Sequence, residues 1–296
     1  MSEVTATLGS HLDSSPRRGV WRALRRRIMF WVCLAVMLVL AAVAMFPEFF
    51  AQFGGPGDPR ACDLRTSAQP PSREHPFGTD LQGCDVYANV IFGTRASLTV
   101  GILCTAIALA IALVLGTIAG FWGGWADRLI SRLTDVFLGF PFLLGAVVVL
   151  TTLPERSVLS VALVLALFSW PTMARLVRGS IRSIRGADYV DAARAMGLTT
   201  PRILAKYVLP NAIGPVLAVS TIMVGSVIVS EATLTFLGLG LRAPSISWGL
   251  QLASAQDRFQ VAPHMLLFPS LFLTITVLAM ITLGDILRDT LDPKGR

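Results

Sequence analysis

The sequence predicts an all-α integral membrane protein that crosses the bilayer six times. Three observations predict it. Six runs without Asp, Glu, Lys or Arg, at 28–46, 96–121, 136–153, 157–174, 212–230 and 265–284, each approach or exceed the length that spans a hydrocarbon core. The 296 residues are 54% hydrophobic and only 15% charged, with mean hydropathy +0.67, where a soluble domain carries about 25% charged residues. Third, the basic residues sort to alternate loops.

Taken in order, residues 1–27 form a polar tail ending in Arg17, Arg18, Arg22, Arg25, Arg26 and Arg27. The run 28–46 follows. A basic start, an apolar run and the small residues Ala41, Ala42 and Ala44 also describe a secretory signal. The run is longer than a signal's apolar region and more spans follow, which favours an uncleaved first helix. Segment 47–94 is Pro/Gly-rich and reads as an irregular outer loop. Residues 95–287 hold the other five spans. Gly123-Gly124 within 120–127 marks a tight turn, and Trp122 and Trp125 suit a membrane interface. Asp135 enters the third span and Pro141 lies inside it, read as a carboxylate paired with an Arg beside a packing kink. The alternative is a gate on a transport path. Arg175, Arg178, Arg182 and Arg185 recur every three or four residues and form a helix stripe expected to face lipid head groups or a partner. Residues 288–296 form the second tail.

Loop charge orients the chain. Of the 25 Lys and Arg, only Arg60, Arg65, Arg73, Arg95, Arg156, Arg242 and Arg258 fall in one set of alternate loops. The rest fall in the other set, which the positive-inside rule places in the cytoplasm together with both termini. The net charge of +7 therefore follows topology rather than nucleic-acid binding. Cys33 and Cys104 lie in apolar runs as packing residues. Cys62 and Cys84 share the polar outer loop.

The cytoplasmic stretch 188–211 is the most polar island between spans. Asp188 is expected to cap a helix, with Asp191 as an imperfect capping-box partner. Ala192, Ala193 and Ala195 propagate it with small side chains, and Gly197 ends it in the left-handed region. Thr200 is expected to cap a second short helix with Pro201 at its first position. Leu209-Pro210 is expected to close the unit. Helix, turn and helix then make a docking part, against the plainer reading of an amphipathic hairpin.

Asp191-Ala192-Ala193, Gly197 and, after nine residues, Tyr207-Val208-Leu209-Pro210 resemble the EAA loop of ABC importer permeases, with Asp where Glu is usual and Tyr where an aliphatic is usual. His75-Pro76-Phe77-Gly78-Thr79-Asp80, Gly83-Cys84-Asp85-Val86 and Gly93 to Leu98 resemble the C-type permease of dipeptide and oligopeptide importers. So do the run from Glu231 to Gly240, followed by Pro244 and Trp248-Gly249, and the end from Asp285 to Pro293. The resemblance implies the type I importer fold with a coupling helix between the fourth and fifth spans. It implies that Asp191, Ala192, Ala193, Gly197, Leu209 and Pro210 meet an ATPase, and that bulk or charge at Ala193 or Gly197 uncouples hydrolysis from uptake. The partners it implies are a homologous second permease, two ATP-binding domains, an extracytoplasmic substrate-binding protein facing the loop 241–262, and membrane lipid.

The family usually has Arg where this chain has Cys84, and Cys62 is also unusual there. With both on the oxidising side, a Cys62–Cys84 disulfide is expected. Two free thiols, or a metal site with His75, are the alternatives. Glu231 lies near the membrane interior, where an ionisable residue is a functional hypothesis by default. It faces the pathway or contacts the substrate's amino terminus, or it is held in a structural hydrogen bond.

The chain carries no Gly-rich phosphate loop with Lys-Ser/Thr, no HExxH and no GxSxG, and His11, His75 and His264 lie far apart. No catalytic residue, metal or cofactor is therefore assigned to it; ATP and magnesium belong to the partner subunits. The resemblance implies half of a translocation path for small peptides, with a nickel chelate or haem as the alternative cargo. A secondary transporter would need more intramembrane charges and repeated halves. A membrane-anchored scaffold or sensor would not need the outer-loop motifs.

Overall fold

The structure is a computed structural model that describes residue 21 and residues 23–291. Arg17, Arg18, Arg22, Asp292, Pro293, Lys294 and Arg296 of the two tails lie outside the described residues. Five helices are long and apolar enough to cross a membrane, and the count reaches six where a pair of helices bent by 83° makes one crossing. No strand occurs among the described residues beyond the isolated bridges Cys62–Cys84 and Thr79–Asp85.

Helix α1 (Ile28–Met45) is about 27 Å long by its 18 residues. It buries Phe30, Cys33, Leu40 and Val43, with Leu40 packed among Val224, Ile228 and Met280. Its end is closed by Arg95, whose Nε donates to Ala44 O at 2.8 Å and Nη2 to Met45 O at 3.0 Å. These carbonyls have no partner within the helix, so the guanidinium satisfies them. The expected first span is thus an integral part of the fold. The short helix α2 (Pro47–Ala51) begins on Pro47, where a missing N–H costs nothing.

Helix α3 (Val86–Trp122) has 37 residues, about 55 Å, and starts ten residues before the predicted span. The expectation of irregular chain up to residue 94 is corrected here. The Asp85 carboxylate accepts from Ala88 N at 2.9 Å and caps the helix, while Val86, Val90, Ile91 and Thr94 turn one buried face inward. Farther along, Ala108, Ala112, Gly116 and Gly120 recur every fourth residue, all buried. A Cβ on Gly116 would come within 2.9 Å of Ala174 O, and one on Gly120 within 2.8 Å of Arg178 O. Small residues at this spacing let two membrane helices pack backbone to backbone.

The third predicted span is not one helix. Helix α4 (Gly124–Gly139) begins straight after a turn in which Gly123 and Gly124 have φ of +67° and +58°, and helix α5 (Phe142–Thr152) follows at 83°. Pro141 is the break: it supplies no N–H and clashes with the carbonyl four residues back, so the apolar run turns a corner. Helix α6 (Val158–Arg185) starts on Ser157, whose hydroxyl accepts from Ser160 N at 3.3 Å, and lies against α3 in the main core.

Helix α7 (Asp188–Ala195) and helix α8 (Thr200–Ile203) follow, then a π-helical turn at Leu204–Val208 leads into helix α9 (Leu209–Phe236). Leu209-Pro210 therefore does not close the unit, since Thr200–Phe236 is one continuous span. Pro210 cannot donate to Lys206 O, and the wider turn, with Leu209 N reaching back to Leu204 O, absorbs it. Helix α10 (Trp248–Ala255) interrupts the expected outer loop 241–262, and helix α11 (His264–Leu291) packs on α9 with Gly284 against Ala218 O. It runs four residues into the predicted tail.

Candidate functional site

The stretch 188–211 folds as one unit with two sides. The cap of α7 is Ala187, not Asp188, and the cap of α8 is Thr199, not Thr200; neither offers a side-chain hydrogen bond. Asp188 and Asp191 instead sit in the first turn of α7, where the helix dipole favours carboxylates. Asp191 also accepts from Arg194 at 2.9 Å. Gly197, at φ +77°, ends the helix. Its N–H reaches Arg194 O at 2.9 Å and that of Leu198 reaches Ala193 O at 3.2 Å, a Schellman closure.

The inner side is apolar. Val190, Ala193, Ile203 and Val208 are buried in the main core with Val177 and Ile181. Ala193 is 0% exposed, so it is a packing residue rather than part of an open face. A bulky residue there would strain the packing of that core. Asp191, Ala192, Gly197 and Pro210 are exposed and Leu209 is half-buried; Met196 is 69% exposed at the tip. Sequence reasoning passed over Met196 because its apolar character and helical spacing resemble a core position.

Charged pairs tie this end together. Arg178 makes a two-pronged pair with Asp127, and Arg175 reaches Asp135 at 3.0 Å. Arg185 donates to Phe121 O at 2.8 Å. Three members of the predicted arginine stripe thus face this chain's own α3 and α4, not a lipid head group or a partner; Arg182 stays exposed. The polar faces of α4 and α6 meet here, and a guanidinium near a half-buried carboxylate is favoured over one in water when its geometry is two-pronged. Asp135 is therefore paired with an Arg next to the Pro141 break, matching the first of its two readings.

Above the loop, α4, α5, α6 and α9 enclose an open groove of about 570 Å³ lined by Phe137, Phe140, Phe168, Thr172, Met173, Met223, Ser226 and Ser230. None of its lining residues is charged. Ser226 and Ser230 donate to Ile222 O and Ser226 O at 3.3 and 2.9 Å and keep free lone pairs for a passing solute. Sequence reasoning missed both, although their spacing of four in an apolar helix was a usable signal.

Glu231 points the other way. It is 0% exposed, and its Oε1 accepts from Thr235 Oγ1 at 2.9 Å and its Oε2 from Ser97 Oγ at 3.3 Å. Ser97 Oγ in turn accepts from Trp248 N at 3.3 Å. The carboxyl is the joint of α3, α9 and α10, and it does not line the groove.

At the opposite end of the molecule Cys62 and Cys84 are joined by a disulfide. His75 Nδ1 lies 3.2 Å from Asp85 Oδ1 instead of near the sulfurs, and no cluster of three or more metal-ligating side chains occurs among the described residues. His264 Nε2 meets Thr79 O at 3.0 Å, which seats the bridged loop on α11. Burial raises the pKa of both Asp80 and Asp85 from the ordinary carboxylate value. Backbone N–H groups, and His75 in the case of Asp85, oppose the shift.

The fold defines a helical, multi-pass membrane protein. A family model described as "Binding-protein-dependent transport system inner membrane component" matches residues 112–296, and one described as "N-terminal TM domain of oligopeptide transport permease C" matches residues 15–71. The chain belongs to the family of inner-membrane components of binding-protein-dependent transport systems, the permeases of ABC importers. It is 37% identical over 293 residues to the glutathione transport system permease protein GsiD of Pectobacterium atrosepticum, covering 98% of this chain and 96% of that one. It is 34% identical to the oligopeptide transport system permease protein OppC of Bacillus subtilis, covering 90% and 85%. The solved inward-facing MetNI methionine ABC transporter shares its fold with TM-score 0.53 over 68% of this chain and 95% of that one, at 21% identity.

Proposed function

We propose that this chain is one of two homologous permease halves of an ATP-driven importer of small peptides. The observation that carries the reading is the two-sidedness of 188–211. Its inner face is locked into the helix core, and its outer face, with Asp191, Ala192, Met196 and Gly197, stands open. A motor pressing on that face moves α6 and α9 as rigid levers, because packed helices shift between discrete arrangements rather than deforming. Asp191, Ala192, Gly197, Leu209 and Pro210 form the contact, with Ala193 holding it from within. The ATPase subunits carry ATP and magnesium, a binding protein delivers cargo at the outer end, and both termini face the cytoplasm, as the loop charges require.

Peptide cargo is supported by the relatives that transport glutathione and oligopeptides, the first of them itself a small peptide. The groove fits the same cargo: it is uncharged, aromatic and edged by hydroxyls, so a zwitterionic peptide passes without being trapped by a fixed charge. Ala192→Cys, combined with cysteines on the co-purifying ATPase, tests the contact. Cross-links that change with nucleotide, together with ATP-dependent uptake of labelled peptides into proteoliposomes, are expected. Failure to cross-link in a transporting complex overturns the coupling. Uptake of other cargo with peptides excluded overturns the substrate class.

A further inference from the structure

The elbow between α4 and α5 has the makings of a second ligand site, beside the groove assigned to cargo and sharing Phe140 and Phe168 with it. Helix α4 runs antiparallel along α6: Asp127 meets Arg178, Asp135 meets Arg175, and Phe137 meets Trp170 and Phe168. It thus passes the level where the charge-free stretch of α6 ends and its arginines begin. That level is the edge of the hydrocarbon.

One side of α4 is occupied by those ion pairs. The other is open and apolar: Trp125, Leu129, Leu133 and Val136 are 71%, 53%, 43% and 60% exposed, and they share a sector of about 80° at 3.6 residues per turn. Arg128 and Arg132 border that sector, exposed and without a carboxylate partner among the described residues. Where α4 meets α5, Val136, Phe140, Leu144, Val148 and Phe168 enclose a groove of about 390 Å³ with almost no polar surface.

We propose that this elbow binds an anionic phospholipid: the acyl chain lies in the groove, and the phosphate is held by Arg132 and Arg128. Cations beside an exposed apolar face at the edge of the hydrocarbon are the arrangement that holds acidic lipid head groups. Trp125 then sits at head-group depth, as interfacial tryptophans do. A protein partner fits less well, because it would have to leave both guanidinium groups unpaired or supply two carboxylates at a lipid boundary.

The test uses the full chain, purified with whatever subunits it carries, in nanodiscs of phosphatidylglycerol or of phosphatidylcholine. A photo-crosslinking residue is placed at Leu129 and, separately, at Leu144. Phospholipid-mass adducts at both positions are expected, several-fold more abundant in phosphatidylglycerol. In R128Q/R132Q they should fall to the phosphatidylcholine level. As a second readout on the chain without the crosslinker, lipids brominated on the acyl chain should quench a component of tryptophan fluorescence that Trp125→Phe removes. Adducts to a protein chain, equal yields in the two lipids, or quenching unchanged by Trp125→Phe overturn the proposal.

Discussion

Ser230 and Glu231 are neighbours in sequence and face opposite sides of α9: Ser230 lines the open groove, while the Glu231 carboxylate is sealed against Ser97 and Thr235. One helical step separates a surface met by solute from an interior joint. The ionisable residue is thus the structural one and the hydroxyl the accessible one, the reverse of what charge alone implies inside a membrane.

Replacing Glu231 should therefore show in stability before transport. Glu231→Ala leaves the hydroxyls of Ser97 and Thr235 without their acceptor and is expected to cost about 1–3 kcal/mol. Glu231→Gln keeps an acceptor oxygen and should transport nearly normally. Thermal unfolding in detergent and uptake in proteoliposomes separate the two. Wild-type stability with abolished uptake in Glu231→Gln would return the residue to the pathway.

Adjacent alanines in α7 should behave differently. Ala193→Leu forces extra methylenes into a filled core, at about 1–3 kcal/mol, and is expected to lower the unfolding temperature. Ala192→Leu adds them on the open side and should leave unfolding unchanged while lowering transport per ATP hydrolysed. The same phenotype in both variants would contradict the two-sided loop.

The disulfide closes a loop with sequence separation 22, and its loss is expected to cost about 3 kcal/mol in the chain-entropy model. Cys62→Ser with Cys84→Ser should increase hydrogen exchange from Gly78 to Ala88, where the loop caps α3 and meets His264. Alkylation of the wild-type protein with and without denaturing reduction should differ by two thiols. Equal masses would show that the bridge does not form.

Asp80 and Asp85 set a pH dependence at the same end. Burial raises both folded-state values, so the folded form holds more protons than the unfolded one between the ordinary carboxylate pKa and the raised one. Stability contributed by these groups is then present at acid pH and falls as pH rises through that window. Compared with Asp80→Asn/Asp85→Asn, the wild-type protein should lose unfolding temperature as pH rises there. A relative gain would contradict the burial argument.

Hydropathy determined the membrane class and the places of the apolar runs, and one residue's backbone freedom determined the turn at Gly197. Cys62 and Cys84 were legible because the family pattern made them unusual. Tertiary structure decided which way each helix faces. An apolar run reads the same whether a residue meets lipid, a groove or a neighbouring helix, so Ala193 and Ser230 could not be sorted by type. It also decided that the chain bends by 83° at Pro141 and that the arginines of α6 close on Asp127 and Asp135. Those outcomes depend on packing partners distant in the chain, and local composition does not specify them.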